Sequence, residues 1–102
     1  MEKKIIRLDL TGCKYISEVH ERIRVAFDFP EWYGANWPAF WDLLRSECDA
    51  DEVLIYGEHT LPKSFERDIQ WMHKALDKNV EKHEEYSKLF SQIRPFAYRV
   101  VN

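Results

Sequence analysis

An aspartate that follows a dense run of aromatic residues is the part of this sequence best suited to chemistry. Five of the fifteen aromatic residues in the 102-residue chain fall between positions 31 and 41, and Asp42 comes directly after them. A carboxylate accepts strong hydrogen bonds from arginine and histidine, and rigid aromatic side chains supply contact area around it. The segment therefore predicts a surface that binds a positively charged group. Its aromatic residues are Trp32, Tyr33, Trp37, Phe40 and Trp41.

Helical periodicity divides residues 37–44 into an inner and an outer arc, at about 100° per residue. The outer arc carries small, stiff side chains around one carboxylate, so that a partner could approach closely. An ordinary amphipathic helix with a solvated aspartate is the structural alternative. The inner arc consists of Trp37, Phe40, Trp41, Leu43 and Leu44, which assigns Trp41 mainly to packing. The outer arc consists of Pro38, Ala39 and Asp42.

Residues 32–44 resemble the signature of the barstar family, the intracellular inhibitors of bacterial guanyl-specific ribonucleases. The likeness lies in an aromatic pair, a Tyr-Gly-x-Asn turn, and a short helix with Trp-Asp before an apolar residue. It implies an α/β fold with a small three-stranded parallel sheet packed with three to four helices. It also implies that Asp42 occupies the place of the substrate phosphate in a small basic ribonuclease of the extracellular type.

The residues of this segment have separate expected roles. Trp32 and Tyr33 are expected to make rigid aromatic contacts around Asp42. Gly34 allows a close backbone approach or a positive φ, and Asn36 caps the second helix. The predicted partner-binding residues are Trp32, Tyr33, Gly34, Asn36, Pro38, Ala39, Trp41 and Asp42.

The chain departs from the family pattern at two places. Many members have an acidic residue where this chain has Pro38, which cannot supply a second carboxylate. The family also uses a glutamate from the helix before the last strand. Glu81, Glu84 and Glu85 are the substitutes available in this chain.

Other kinds of chemistry find little support in the residues. Asp42 with Glu31 or Glu47 could form a carboxylate pair for sugar hydrolysis, but His/Cys spacing for a metal and a glycine-rich phosphate loop are missing from the sequence. We expect no catalytic residue, no metal and no cofactor. A domain of the same fold that binds a partner other than a ribonuclease is the main alternative, and a small enzyme or sugar binder is the third.

The distribution of charge along the sequence also indicates which kind of partner the protein binds. Residues 28–52 carry seven acidic side chains and one basic side chain, Arg45, which predicts an acidic patch that repels nucleic acid and steers a cationic partner. Scatter of these acids over several faces is the alternative. The later lysines Lys74, Lys78 and Lys82 are expected to form mixed-sign pairs with neighbouring glutamates on a solvated helix face.

The composition is that of one soluble globular domain over residues 1–102, with 45% hydrophobic and 32% charged residues. Cys13 and Cys48 are expected to be free thiols in a reducing compartment. The charged N-terminal sequence predicts no signal peptide and no membrane contact, and we expect a cytoplasmic protein that is a monomer when free.

Apolar patterning predicts strands alternating with helices, and hence βαβ units with a parallel sheet. Ser17 is the expected cap of the first helix. The apolar stripe of the third helix breaks at residues 82–85 and resumes at Tyr86, which predicts a kink or a separate fourth helix. The predicted strands are 5–10, 52–56 and 96–101. The predicted helices are one from about 18 to 28, a second that is capped by Asn36 and runs to about Arg45, and a third that Pro62 and Ser64 open.

Overall fold

Three parallel strands form the centre of the protein, and three α-helices pack around them. The computed structural model describes residues 3–102, so Met1 and Glu2 of the predicted domain lie outside it. Two short 3-10 turns, Glu58–Thr60 and Lys63–Phe65, separate the second strand from the last helix. The strands are β1 (Ile5–Asp9), β2 (Glu52–Tyr56) and β3 (Ala97–Val101), and the helices are α1 (Ile16–Ala26), α2 (Trp37–Glu47) and α3 (Glu66–Leu89).

The sheet has the order β1-β2-β3, and both pairings are parallel. Ile6 lies opposite Val53 and Leu8 opposite Ile55, and all four side chains are buried. On the other face Leu54 lies between two exposed arginines of the edge strands. The main core therefore lies on one face of the sheet. This architecture confirms the predicted α/β class with a three-stranded parallel sheet.

Each helix buries one apolar stripe against this core. The stripe of α2 consists of Phe40, Leu43 and Leu44, so the predicted inner arc is correct for its fully buried members. Burying side chains of this size contributes about 1.5–3 kcal/mol each. The other buried helical residues of the core are Val19 and Ile23 in α1, and Met72, Ala75 and Leu76 in α3.

The first helix begins and ends differently from the prediction. Its first residue is Ile16, and Ser17 is not the cap. The carboxylate of Glu18 instead accepts hydrogen bonds from the backbone N–H groups of Lys14 (2.9 Å) and Tyr15 (3.0 Å), which satisfies donors at the helix start. The helix ends at Ala26, because the chain turns sharply where Asp28 adopts a φ of 56°.

The expectation of a separate fourth helix is wrong. Helix α3 continues without interruption for 24 residues, through the Lys- and Glu-rich run at 82–85. These residues have good helix propensity, so the helix continues without an apolar stripe. The apolar residues beyond the run are largely exposed: Tyr86 by 44%, Leu89 by 72% and Phe90 by 50%.

Both cysteines are free thiols, as the sequence predicted. Cys13 is buried in the core and Cys48 is half-buried.

None of the helices within residues 3–102 combines the length and the apolar character needed to cross a bilayer.

Hydrogen bonds of Asp77 and His73 are among those that fasten α3 to the rest of the fold. The Tyr98 hydroxyl of β3 donates to Asp77 Oδ1 at 2.6 Å. His73 Nε2 lies 2.6 Å from Glu58 Oε2, in the first 3-10 turn after β2. The hydrogen bond to Glu58 raises the pKa of His73 above its ordinary value of 6.5, although burial opposes the shift.

This pair makes stability depend on pH. Since the pKa of His73 is raised in the folded state, its stabilising effect is complete below about pH 6.5 and is lost as the pH rises through the folded-state pKa. We expect His73→Gln to lower the free energy of unfolding more at about pH 5.5 than at about pH 9. Urea unfolding at both pH values would measure this. The exposed His59→Gln is the control, and an equal loss at both pH values would contradict the prediction.

Candidate partner-binding face

Helix α2 has a well-defined start, as the sequence predicted. Asn36 Oδ1 accepts a hydrogen bond from the backbone N–H of Ala39 at 2.8 Å, and its Nδ2 donates to the carbonyl of Gly34 at 3.1 Å. Pro38 lies in the first turn, where a missing N–H costs no helical hydrogen bond. The cap therefore fixes both the helix and the turn before it.

The tight turn before α2 uses a different residue for its positive φ than expected. Ala35, not Gly34, adopts the left-handed conformation, with a φ of 52°. Gly34 is needed for space instead. A Cβ at that position would lie 3.2 Å from Asn36 Nδ2 and 3.4 Å from Ala39 Cβ. Glycine thus lets the turn approach the first turn of α2 closely.

Trp37 anchors the start of α2 to both other helices. Its indole Nε1 donates to Asp68 Oδ1 of α3 at 2.9 Å. Its ring contacts His20 of α1, with ring centroids 4.3 Å apart, and meets Phe40 edge-on. Asp68 and His20 were not among the residues singled out from the sequence. A lone aspartate 31 positions away and a histidine on an apolar helix face carry no local signal for this contact.

Tyr33, one of the predicted partner-binding residues, lies in the core. Only 8% of it is exposed, and its hydroxyl lies 2.7 Å from Nδ1 of the buried His20. Burial raises the pKa of Tyr33 and lowers the pKa of His20, so both groups are neutral near pH 7. The aromatic pair at 32–33 is therefore split, because Trp32 is 74% exposed.

The predicted outer arc of α2 does face solvent. Pro38 and Asp42 are exposed, and Ala39 is half-buried against the core. The Asp42 side chain is 64% exposed and forms an ion pair with Arg45 at 3.0 Å. We call the set of Trp32, Pro38, Ala39 and Asp42 the α2 face.

The surroundings of Trp41 are basic, so the expected acidic patch does not extend to this ring. This half-buried indole packs against the core, and Arg45, Lys78 and Lys82 place their cationic groups 5.7–6.0 Å from its ring centroid. Two of the seven acids are neutralised elsewhere, because Asp49 pairs with Lys4 and Asp51 with Arg94.

The lysines of α3 do not form the mixed-sign pairs predicted for them. Within residues 3–102, Lys74, Lys78 and Lys82 have no carboxylate in ion-pair distance, and they lie beside tryptophans instead. A groove of about 300 Å³, which we call the tryptophan groove, runs between α2 and α3 beside these lysines. Glu81, Glu84 and Glu85 line a separate shallow depression with Lys88. The groove is lined by Trp37, Pro38, Trp41, Trp71, Lys74, Ala75 and Lys78.

The fold and this surface define a small α/β domain that presents aromatic side chains and the Asp42 carboxylate beside three lysines of α3. The family model described as Barstar (barnase inhibitor) matches residues 3–93. The chain therefore belongs to the barstar family, and the resemblance found in the sequence is confirmed. A search of the curated proteins found no significant match.

The buried position of Tyr33 can be tested by removing its hydroxyl. Tyr33→Phe leaves the His20 nitrogen without its partner in the core, and we expect a loss of about 1–3 kcal/mol in the free energy of unfolding. Binding of a partner by the folded protein should stay unchanged. Thermal melting would measure the loss, with Trp32→Phe as the exposed control. Unchanged stability together with lost binding would contradict the assignment of Tyr33 to the core.

Proposed function

We propose that this protein inhibits a guanyl-specific bacterial ribonuclease by placing Asp42 in the enzyme's active site. The observation that carries this proposal is the exposed carboxylate of Asp42 on a rigid helix, within a chain of the barstar family. A ribonuclease active site must hold a phosphate, and so it presents cationic donors. A carboxylate placed among such donors forms short, charge-assisted hydrogen bonds.

Rigidity of the helix supports this role. Asn36 caps α2, Trp37 joins it to α3 through Asp68, and Phe40 is completely buried. Asp42 therefore starts from a fixed position, with a short side chain that loses little freedom on binding. Preorganisation of this kind lowers the entropy cost of association.

The ion pair with Arg45 does not prevent binding. Arg45 and Asp42 are three residues apart on the helix, and both side chains are about half or more exposed. Such surface pairs contribute at most about 1 kcal/mol. Cationic groups in a desolvated active site can therefore replace Arg45, and the buried carboxylate requires several of them as hydrogen-bond donors.

The groove between α2 and α3 that is lined by tryptophans and lysines supports a second candidate, a partner that is not a ribonuclease. Pro38 removes one carboxylate from the α2 face, and three lysines of α3 lie beside the tryptophans instead. A purely cationic partner would be repelled by this part of the surface. Under either candidate the protein acts by binding and as a monomer. Under the first, it stays in the cytoplasm and protects its own cell from the nuclease.

Removing the Asp42 carboxylate tests whether this residue is the central contact with the partner. We expect Asp42→Ala to change the free energy of unfolding by no more than about 0.5 kcal/mol, because the site is exposed. Binding to the nuclease should weaken by about 2–5 kcal/mol, because cationic groups of the enzyme remain buried without a partner. Calorimetric titration measures the affinity. Glu47→Ala, an exposed acid on the same helix, is the control, and equal effects of the two substitutions would refute the role of Asp42.

Inhibition itself is tested by titration. The secreted guanyl-specific ribonucleases of the source cell are the enzymes to assay, with cleavage of a labelled RNA as the readout. We expect activity to fall to zero near one inhibitor per enzyme, because one Asp42 fills one phosphate site. The protein alone should cleave neither RNA nor glycans. Full nuclease activity at a large excess of the protein would exclude inhibition and favour the second candidate.

A further inference from the structure

A buried amide donor without an acceptor lies in the middle of α3. Asn79 is only 2% exposed, and within residues 3–102 its Nδ2 has no hydrogen-bond partner. Buried polar groups in folded proteins are almost always paired, because an unpaired donor opposes folding. The unsatisfied amide therefore suggests an acceptor that comes from outside the chain.

Asn79 opens onto a second groove of about 330 Å³ between α2 and α3, distinct from the tryptophan groove. Arg45 and Lys82 line it together with His83, and both cationic groups also lie beside the Trp41 ring. His83 Nδ1 donates to the carbonyl of Arg94 at 3.0 Å, which fixes its ring. Tyr86 and Ile93 complete the lining, so none of the lining residues is acidic.

This donor set selects an anion. Arg45 offers a planar fork of N–H groups and Lys82 a point charge, and the side chain of the buried Asn79 lines the same groove. A carboxylate has the size and the paired oxygens to receive donors of this kind. A nucleic-acid strand suits the site less, because Asp42 lies next to Arg45 and would repel a run of phosphates.

We infer that the groove lined by Arg45, Asn79 and Lys82 binds a carboxylate side chain of the partner protein. The inference rests on the proposed function, in that it takes the ligand of the α2 face to be a protein. Arg45 links the two contacts. When the partner's cations engage Asp42, Arg45 is released from its 3.0 Å ion pair and becomes available to the partner's carboxylate. The protein then presents a negative contact at Asp42 and a positive contact at Arg45 and Lys82. Because the two contacts have opposite charges, the partner can bind in only one orientation.

Acetate is the probe for this site, and the side-chain NH₂ resonance of Asn79 in a ¹⁵N-labelled protein is the readout. At constant ionic strength, maintained with chloride, we expect a saturable shift of this resonance as acetate replaces chloride. Asn79→Leu should abolish the stabilisation by acetate in thermal melting, and it should raise stability in chloride because it removes the unpaired donor. Arg45→Gln and Lys82→Gln should each weaken acetate binding by about fivefold. Lys14→Gln, an exposed lysine of another surface, is the control.

Several results would overturn the inference. One is an Asn79 resonance that acetate does not move, which would mean that an internal water satisfies the amide. Another is Asn79→Leu that destabilises the protein while leaving acetate binding intact. Tighter binding of oligothymidylate than of a glutamate-rich peptide, lost in Lys82→Gln, would assign the groove to nucleic acid instead.

Failure of this inference is distinguishable from failure of the proposed function. The acetate experiments contain no nuclease, so they judge the groove alone. If the RNA-cleavage titration shows inhibition but Arg45→Gln and Lys82→Gln inhibit as well as the unchanged protein, only the carboxylate site is excluded. If acetate binds as expected but no nuclease is inhibited, the site stands and the ribonuclease as partner is excluded.

Discussion

The contact of Trp37 with Asp68 and His20 is the interaction on which the binding face most depends. It joins the start of α2 to α3 and α1 at one point, through a hydrogen bond of 2.9 Å and a ring contact of 4.3 Å. The same indole meets Phe40, which is completely buried. The outer arc of α2 carries only small side chains and a carboxylate, so that arc supplies little packing of its own. The position of the outer arc is therefore set by the packed side chains on the inner side of α2, and the binding surface is as rigid as the core beneath it.

Charge on this surface is organised in space rather than along the sequence. Two acids of the run at 28–52 are paired with bases that are distant in the sequence, Asp49 with Lys4 and Asp51 with Arg94. Helix α3 then brings a row of lysines beside Trp41 and Trp71. Ion pairs on an exposed surface are weak, but charges of both signs on one surface restrict which partners can approach. The face therefore combines one acidic contact with a larger basic one.

Local patterns in the sequence were sufficient for the elements, the parallel sheet, the cap at Asn36 and the inner arc of α2. The elements, the cap and the inner arc depend on residues within a few positions of one another, as the Asn36 to Ala39 hydrogen bond illustrates. The parallel sheet follows from the alternation of strands with helices along the chain. The surroundings of Trp41, the Trp37–Asp68 bond and the burial of Tyr33 depend on contacts between distant segments, and a single sequence carries no signal for these. The fourth helix was wrongly predicted because apolar residues at 86–90 were taken as buried, whereas they are largely exposed.

The difference in exposure between Trp32 and Tyr33 limits how the length of this turn can vary in evolution. One ring is 74% exposed and its immediate neighbour is 8% exposed, with its hydroxyl against His20. Inserting a single residue between α1 and Trp32 would shift the indole into the buried site of the phenol, and deleting one would shift Gly34 into that site. The length of the 27–36 connection is thus as constrained as its composition.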